Sequence, residues 1–348
     1  MTVDLRRAAA HEAVRTLHPG YFALVMATAI ISIGLRDRGV PAVSVALLWL
    51  AGAAYVVLVG LNGWRLAAFS DEVRRDLSHP VRGFGFFTFV AGTNVLGSRL
   101  LVDGHVGLAA ALLTVGVVAW IVFGYVVLWN IVLAGTREGM LAKANGTWFI
   151  WIVACQSVAL LAALLEPQVD TGRRELALLA VFCWSVGLLW YGAVGTLVTA
   201  RLLLYEVRPV DFTPPYWVAM GATAISVLAG ARIVEMADAP VVAATRDLVA
   251  GTSVVFWALG TWLIPALLAA GWWRHVMHRV PLRYEATWWS IVFPVGMYGV
   301  ASNALGEADQ LPIVAAVGEY ETWVAGGVWA VVFAAMLIHL ARTLRAPR

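Results

Sequence analysis

The residues of this chain best suited to act on a solute are two phenylalanines and three arginines, each at a set distance from an aromatic residue that opens an apolar run. The five opening aromatics are Tyr21, Phe84, Trp148, Trp217 and Trp288, spaced 63, 64, 69 and 71 residues apart. Phe89 and Phe293 follow the second and fifth by five residues, where a bulky ring falls near mid-membrane and can plug a narrow axis. Arg36, Arg99 and Arg232 follow the first, second and fourth by fifteen, each two residues after Gly34, Gly97 or Gly230. A guanidinium at the outer end of a conduit-lining helix raises the local anion concentration, forming an attracting vestibule. An arginine at the same place facing lipid is a snorkelling anchor, and a membrane phenylalanine is also packing material, so position alone leaves both readings open.

No catalytic constellation competes with these residues. A His-Glu-x-x-His zinc motif and a nucleophile with a base at membrane depth are both missing from the sequence. His11, His18, His79, His105, His275, His278 and His339 fall in a lead-in, in connections or at run ends, so no axial haem ligands are expected. Cys155 and Cys183 lie within apolar runs as small hydrophobes. We therefore expect no enzyme activity, no cofactor and no metal site.

The elements that must position the five residues are membrane spans. With 61% hydrophobic and 13% charged residues, the 348-residue chain has too little polar surface to coat a soluble globule. Apolar runs of roughly 20 residues or more, enough to cross about 30 Å of hydrocarbon, cover 19–36, 42–69, 84–102, 105–134, 147–165, 174–205, 215–236, 243–275, 287–304 and 322–345. The expectation is one all-α transmembrane domain over 1–348 with ten helices in five hairpins, near 19–69, 84–134, 147–205, 215–275 and 287–345. The first 20 residues, with Asp4, Arg6, Arg7, Glu12 and Arg15, read as an uncleaved lead-in helix.

Ten spans place both termini on one side. That side carries 17 of the 24 Lys and Arg, among them Arg74, Arg75, Arg82, Arg274, Arg279 and Arg283, so both termini are expected in the cytoplasm and the protein in the cell membrane. These scattered basic clusters suit lipid headgroups and exclude a nucleic-acid partner. Tryptophans such as Trp64, Trp272, Trp273, Trp288 and Trp289 read as an interfacial belt.

The repeated spacing suggests five copies of one hairpin, with odd-numbered helices around a pore and longer even-numbered helices outside them. Small and polar residues concentrate in the odd helices: Thr28 and Ser32; Gly92, Thr93 and Asn94; Gln156 and Ser157; Gly221, Thr223 and Ser226; Pro294 and Gly296. They are expected to line the pore, although each is equally suited to helix packing. Pro294 is expected to kink its helix.

Two stretches, His18-Pro-Gly-Tyr-Phe-Ala-Leu-Val-Met-Ala-Thr28 and Trp288-Trp-Ser-Ile-Val-Phe-Pro-Val-Gly-Met-Tyr298, resemble the tellurite-resistance/dicarboxylate transporter family. That family includes malate permeases, sulfite exporters and plant slow anion channels. The resemblance implies a quasi-fivefold ring of hairpins, a pore in each protomer of a homotrimer, and a phenylalanine gate in the ninth span. Phe293, beside Pro294, matches that gate, and Phe89 is the second candidate.

A passive channel for small inorganic or organic anions fits the absence of an ionisable residue at the centre of any expected span. The alternative is a proton-coupled carrier of malate or another four-carbon dicarboxylate, or a sulfite- or tellurite-type oxyanion exporter. Its coupling groups would be sought among Glu235, Glu307, Glu319 and Glu321, which the sequence places at outer ends.

Overall fold

The computed structural model describes residues 10–133, 139–237 and 239–345. Residues 10–15 are helical, and the expected lead-in residues Asp4, Arg6 and Arg7 lie outside the described residues. The described chain is built from α1 (Ala23–Asp37), α2 (Pro41–Ala68), α3 (Ser70–Ser78), α4 (Phe87–Val102), α5 (Val106–Leu133) and α6 (Phe149–Leu165). It continues through α7 (Arg173–Leu204), α8 (Val218–Val234), α9 (Pro240–Trp272), α10 (Trp289–Ala308) and α11 (Pro312–Arg345).

Helices α1, α4, α6, α8 and α10 pack each on the next, and α10 packs back on α1, closing a cycle. Each begins with a single 3-10 turn: Pro19–Phe22, Gly83–Phe86, Gly146–Trp148, Pro214–Trp217 and Ala286–Trp288. The five turns also touch in a cycle. We call this end of the molecule the N face and the opposite end the C face. All five aromatics used to align the sequence copies sit in these turns, at differing positions within them.

Helices α2, α5, α7, α9 and α11 lie outside. In the apolar windows of four inner helices, 72 to 94% of residues are buried, against 11 to 44% in the five outer ones. Large side chains such as Trp49, Leu189 and Trp262 are correspondingly exposed, which suits a lipid solvent.

Among the described residues nine helices are long and apolar enough to cross a membrane, one fewer than expected. The tenth, α10, completes the inner cycle, but Ser290, Pro294, Asn303 and Glu307 dilute its apolar run. Its partner α11 starts at Pro312, ten residues before the expected boundary at 322. Proline in the first turn starts a helix cheaply, and Glu319 and Glu321 therefore belong to the helix and not to a solvated connection.

The rotation of each inner helix is fixed by one donor from an outer helix. Trp120 Nε1 of α5 donates to Cys155 Sγ of α6 at 3.1 Å, and Trp184 Nε1 of α7 donates to the Ser226 carbonyl of α8 at 3.0 Å. Trp257 Nε1 of α9 donates to Ser302 Oγ of α10 at 2.9 Å, and Trp329 Nε1 of α11 donates to Thr28 Oγ1 of α1 at 3.0 Å. Thr93 of α4 spends its own proton on the Phe89 carbonyl, so Tyr55 of α2 is the donor of their 3.0 Å bond. In all five cases the outer helix of one hairpin clamps the inner helix of the next, and the last hairpin clamps the first.

These clamps generate a prediction. A hydrogen bond away from water contributes about 1 kcal/mol net, so a double-mutant cycle of Trp257→Phe with Ser302→Ala, read by thermal unfolding in detergent, should give a coupling energy of about that size. Strict additivity would remove the clamp from the fold's support.

Candidate transport pathway

The clamps determine what faces the axis, because an α-helix turns once every 3.6 residues or so. Thr28, Thr93 and Ser302 point outward to α11, α2 and α9. Residues two positions away from the first two, Met26 and Ile30 on α1 and Ala91 and Val95 on α4, therefore face inward. Phe293 precedes Ser302 by nine residues, about two and a half turns, and so points directly opposite to it. Phe293 is 0% exposed, as are Ile30, Ala91, Val95, Ile225 and Met297, so side chains fill the interior at this level.

The two sequence candidates for the gate thus separate. Phe89 lies one turn before Thr93 on the outward face, where its ring packs on Phe22 at 5.1 Å, Tyr55 at 6.1 Å and Phe123 at 6.5 Å. Its contacts include the outer helices α2 and α5. The sequence register failed there because Phe84 stands two residues before the end of its 3-10 turn, whereas Trp288 ends its own.

The expected polar lining is likewise redirected. Thr28 and Thr93 serve the clamps, and Thr223 Oγ1 donates to the Met220 carbonyl beside Gly260 of α9. Ser32 exchanges hydrogen bonds with Ser44 of α2 at 2.6 Å in each direction. The glycines are seams between inner helices: Gly92 against Phe22 and Val25, Gly221 against the Pro294 ring, and Gly296 against Ile30 and Ile31. A Cβ on Gly221 would come within 2.8 Å of Pro294 Cγ. Pro294 lies inside α10 and packs its ring against Gly221 of α8.

The three arginines do not form a free cationic vestibule. Arg99 is 0% exposed; it donates to Ser32 Oγ at 2.7 Å and Ser44 Oγ at 3.0 Å, and its Nη1 lies 2.9 Å from Asp103. Arg36 pairs with the other oxygen of Asp103 at 2.8 Å, and Arg232 pairs with Glu235 at 2.9 Å. Arg232 and Asp37 each follow an outward residue, Thr223 or Thr28, by nine, so both face the C-face mouth. There Asp37 is within electrostatic reach of Arg232 and Glu307. Pairing and the added acids cancel the positive potential that the sequence assigned to this end.

Cations without an ion pair among the described residues are more numerous at the N face, with Arg74, Arg274, Arg279 and Arg283, than at the C face, with Arg174 and Arg246. The five inner helices also begin at the N face, and their dipoles place partial positive charge at this end. The sequence held this signal in its basic connections.

One carboxylate was misplaced by the sequence. Glu321 lies nine residues inside α11, about 13 Å from its start, with its backbone against Gly299 of α10. It has no hydrogen-bond or ion-pair partner among the described residues, whereas Glu319 reaches Arg38 at 3.4 Å.

Residues 16–337 match the family described as Voltage-dependent anion channel, SLAC1. The chain belongs to this family. It is similar to an uncharacterized transporter of Methanocaldococcus jannaschii, 23% identical over 325 residues covering 91% of this chain and 92% of that protein. A sulfite efflux pump of Arthroderma otae is 20% identical over 347 residues, covering 92% and 90%. An uncharacterized membrane protein of Mycobacterium tuberculosis H37Rv is 69% identical over 154 residues, covering 44% of this chain and 78% of its own. The protein is thus a multi-pass membrane member of a family of anion channels and transporters.

In this SLAC1-family chain the N face is organised by a charged cluster around the first two turns. Arg65, 2% exposed, donates to Asp76 at 2.7 Å, and Arg82 donates to the same carboxylate at 2.9 Å. Burial would raise the Asp76 carboxyl, but the bonds from Arg82 and Arg65 outweigh it and hold it below the usual carboxylate range. His18 Nδ1 accepts from the Gly20 amide and caps the first turn. Burial, helped by the charge of Arg82, pushes its imidazole down to about 4.

The folded state therefore binds fewer protons at His18 than the unfolded state as pH falls from about 6.5 toward 4, and stability must fall over that window. The thermal midpoint should drop between pH 7 and pH 5. His18→Gln, which keeps an acceptor but cannot titrate, should lose part of that slope; an unchanged slope would remove His18 from the cap's pH response.

Proposed function

We propose that this protein is a small-anion channel of the cell membrane, with both termini cytoplasmic and a pathway along the axis of the inner helices closed by Phe293. The carrying observation is the position of that ring: fully buried, directly opposite the Ser302 clamp, and at a level where α4 offers only Ala91 and Val95. A single large side chain among smaller apolar ones closes a path with little reorganisation elsewhere, and an apolar throat also gates by excluding water.

The charge distribution supports a direction. Anions gather at the N face, where unpaired arginines and the positive ends of five helix dipoles meet, and the acids Asp37, Glu235 and Glu307 stand at the other mouth. Lys and Arg enrichment supports a cytoplasmic N face, where anions would be concentrated at the inner mouth and supplied for outward movement down their gradient. The sulfite efflux pump among the relatives agrees with that sense of transport.

The second reading, a proton-coupled dicarboxylate carrier or oxyanion exporter, rests on Glu321, a carboxylate of α11 without a hydrogen-bond or ion-pair partner among the described residues. Such groups commonly mark proton relays.

Electrical recording in planar bilayers under chloride, nitrate, sulfite and malate gradients tests both readings. Phe293→Ala should raise anion current at least severalfold, while Phe89→Ala should leave it near the wild-type level; the reverse pattern would overturn the gate assignment. Currents should reverse at the anion potential and ignore a pH difference. Strictly pH-driven transport that Glu321→Gln abolishes would replace the channel with the carrier.

A further inference from the structure

A cavity of about 390 Å³ opens at the N face between α8, α9 and α10, away from the axis. Its inner wall is apolar, with Leu267, Leu268 and Ile291, and its rim carries Arg274, His275 and Arg283 against the single acid Glu285. Trp217 and Trp288, which end the 3-10 turns of α8 and α10, also line it. Ile291 precedes Tyr298 by two turns, and Tyr298 bonds Thr261 of α9 at 2.7 Å, so this wall belongs to the outward face of α10.

The rim is built in an unusual way. Helix α9 ends in a π-helical turn, Trp273–Met277, which carries Arg274 and His275, and such turns are rare outside functional positions. Arg274 Nη1 donates to the Phe212 carbonyl at 2.7 Å and the Val210 carbonyl at 3.2 Å, while its Nε is buried without a partner. Arg283 has no ion pair among the described residues. A buried guanidinium N–H without a partner, in the same cavity as a second guanidinium that has no ion pair among the described residues, suits an anionic oxygen acceptor.

We propose that this cavity binds a membrane phospholipid with an anionic headgroup, its phosphate at Arg274 and Arg283 and the first part of an acyl chain along Leu267, Leu268 and Ile291. The gradient from apolar to cationic wall runs along the helix axis over nearly two turns, from Leu267 to Arg274, matching the order of chain, glycerol and phosphate in a lipid. The walls come from the end of α9, the 3-10 turns that open α8 and α10, and the connection between α9 and α10. The inference does not depend on the gate assignment.

The test uses purified full-length protein equilibrated with vesicles of equal parts phosphatidylglycerol and phosphatidylcholine, with retained lipid counted by native mass spectrometry. Wild type should retain phosphatidylglycerol over phosphatidylcholine. Arg283→Gln, which removes one charge-assisted contact, should weaken that retention about tenfold. Gly271 lines the cavity and a Cβ there meets nothing within 4 Å, so Gly271→Phe should fill the space without disturbing α9 and abolish retention. Arg279→Gln, a neighbouring cation outside the lining, should change nothing. Equal retention of the two lipids by wild type, an equal loss in Arg279→Gln, or displacement of the lipid by inorganic phosphate would each overturn the proposal.

Discussion

A hydroxyl or indole N–H in hydrocarbon has no water to turn to, and in this protein that constraint sets the rotation of every inner helix. Tyr55, Trp120, Trp184, Trp257 and Trp329 each reach from an outer helix to the inner helix of the following hairpin. Once Thr28, Thr93 and Ser302 are committed outward, helical periodicity turns Ile30, Val95 and Phe293 toward the axis. The apolar, filled interior is a consequence of where the polar groups found partners, and glycines at Gly92, Gly221 and Gly296 then let neighbouring helices close over it.

That arrangement explains which features were legible in the sequence. Long apolar runs and the repeated aromatic openings needed only composition and spacing, and they located nearly every helix. The direction of the polar residues was not legible, because a threonine in a membrane helix satisfies itself equally well against a conduit or against a neighbouring tryptophan. The missing signal was present in the outer runs: the five clamp residues are spaced 65, 64, 73 and 72 residues apart, close to the spacing of the openings. None of the five clamp residues is among Trp64, Trp272, Trp273, Trp288 and Trp289, the tryptophans that read as an interfacial belt. Phe89 and Phe293 differed by a slip of two residues between one 3-10 turn and another, a difference that spacing alone cannot resolve.

The charged residues teach a related lesson. Arg36, Arg99 and Arg232 were identified by register, yet an arginine's effect on a solute depends on what else lies within a few ångströms. Asp103 serves two of them and Glu235 the third, and the buried Arg99 ties α1, α2 and α4 together through Ser32 and Ser44. The N face, by contrast, keeps arginines without carboxylates where five parallel helices begin. The resulting electrostatic asymmetry runs along the axis, with its more positive end at the N face. Glu321 stands apart from it, an isolated carboxylate whose place in α11 became visible only when Pro312 proved to be the start of that helix.

In this arrangement the axis is apolar and Thr28, Thr93 and Ser302 face away from it. Single cysteines at Ile30, Val95 and Ile225, and at Thr28, Thr93 and Thr223, placed in the Phe293→Ala background with buried Cys155 and Cys183 as the unreactive baseline, test it directly. A membrane-impermeant charged thiol reagent should modify the first set and block anion current, and should leave the second set unmodified. Modification of the threonine positions with protection of Ile30, Val95 and Ile225 would reverse that orientation and return the hydroxyls to the axis.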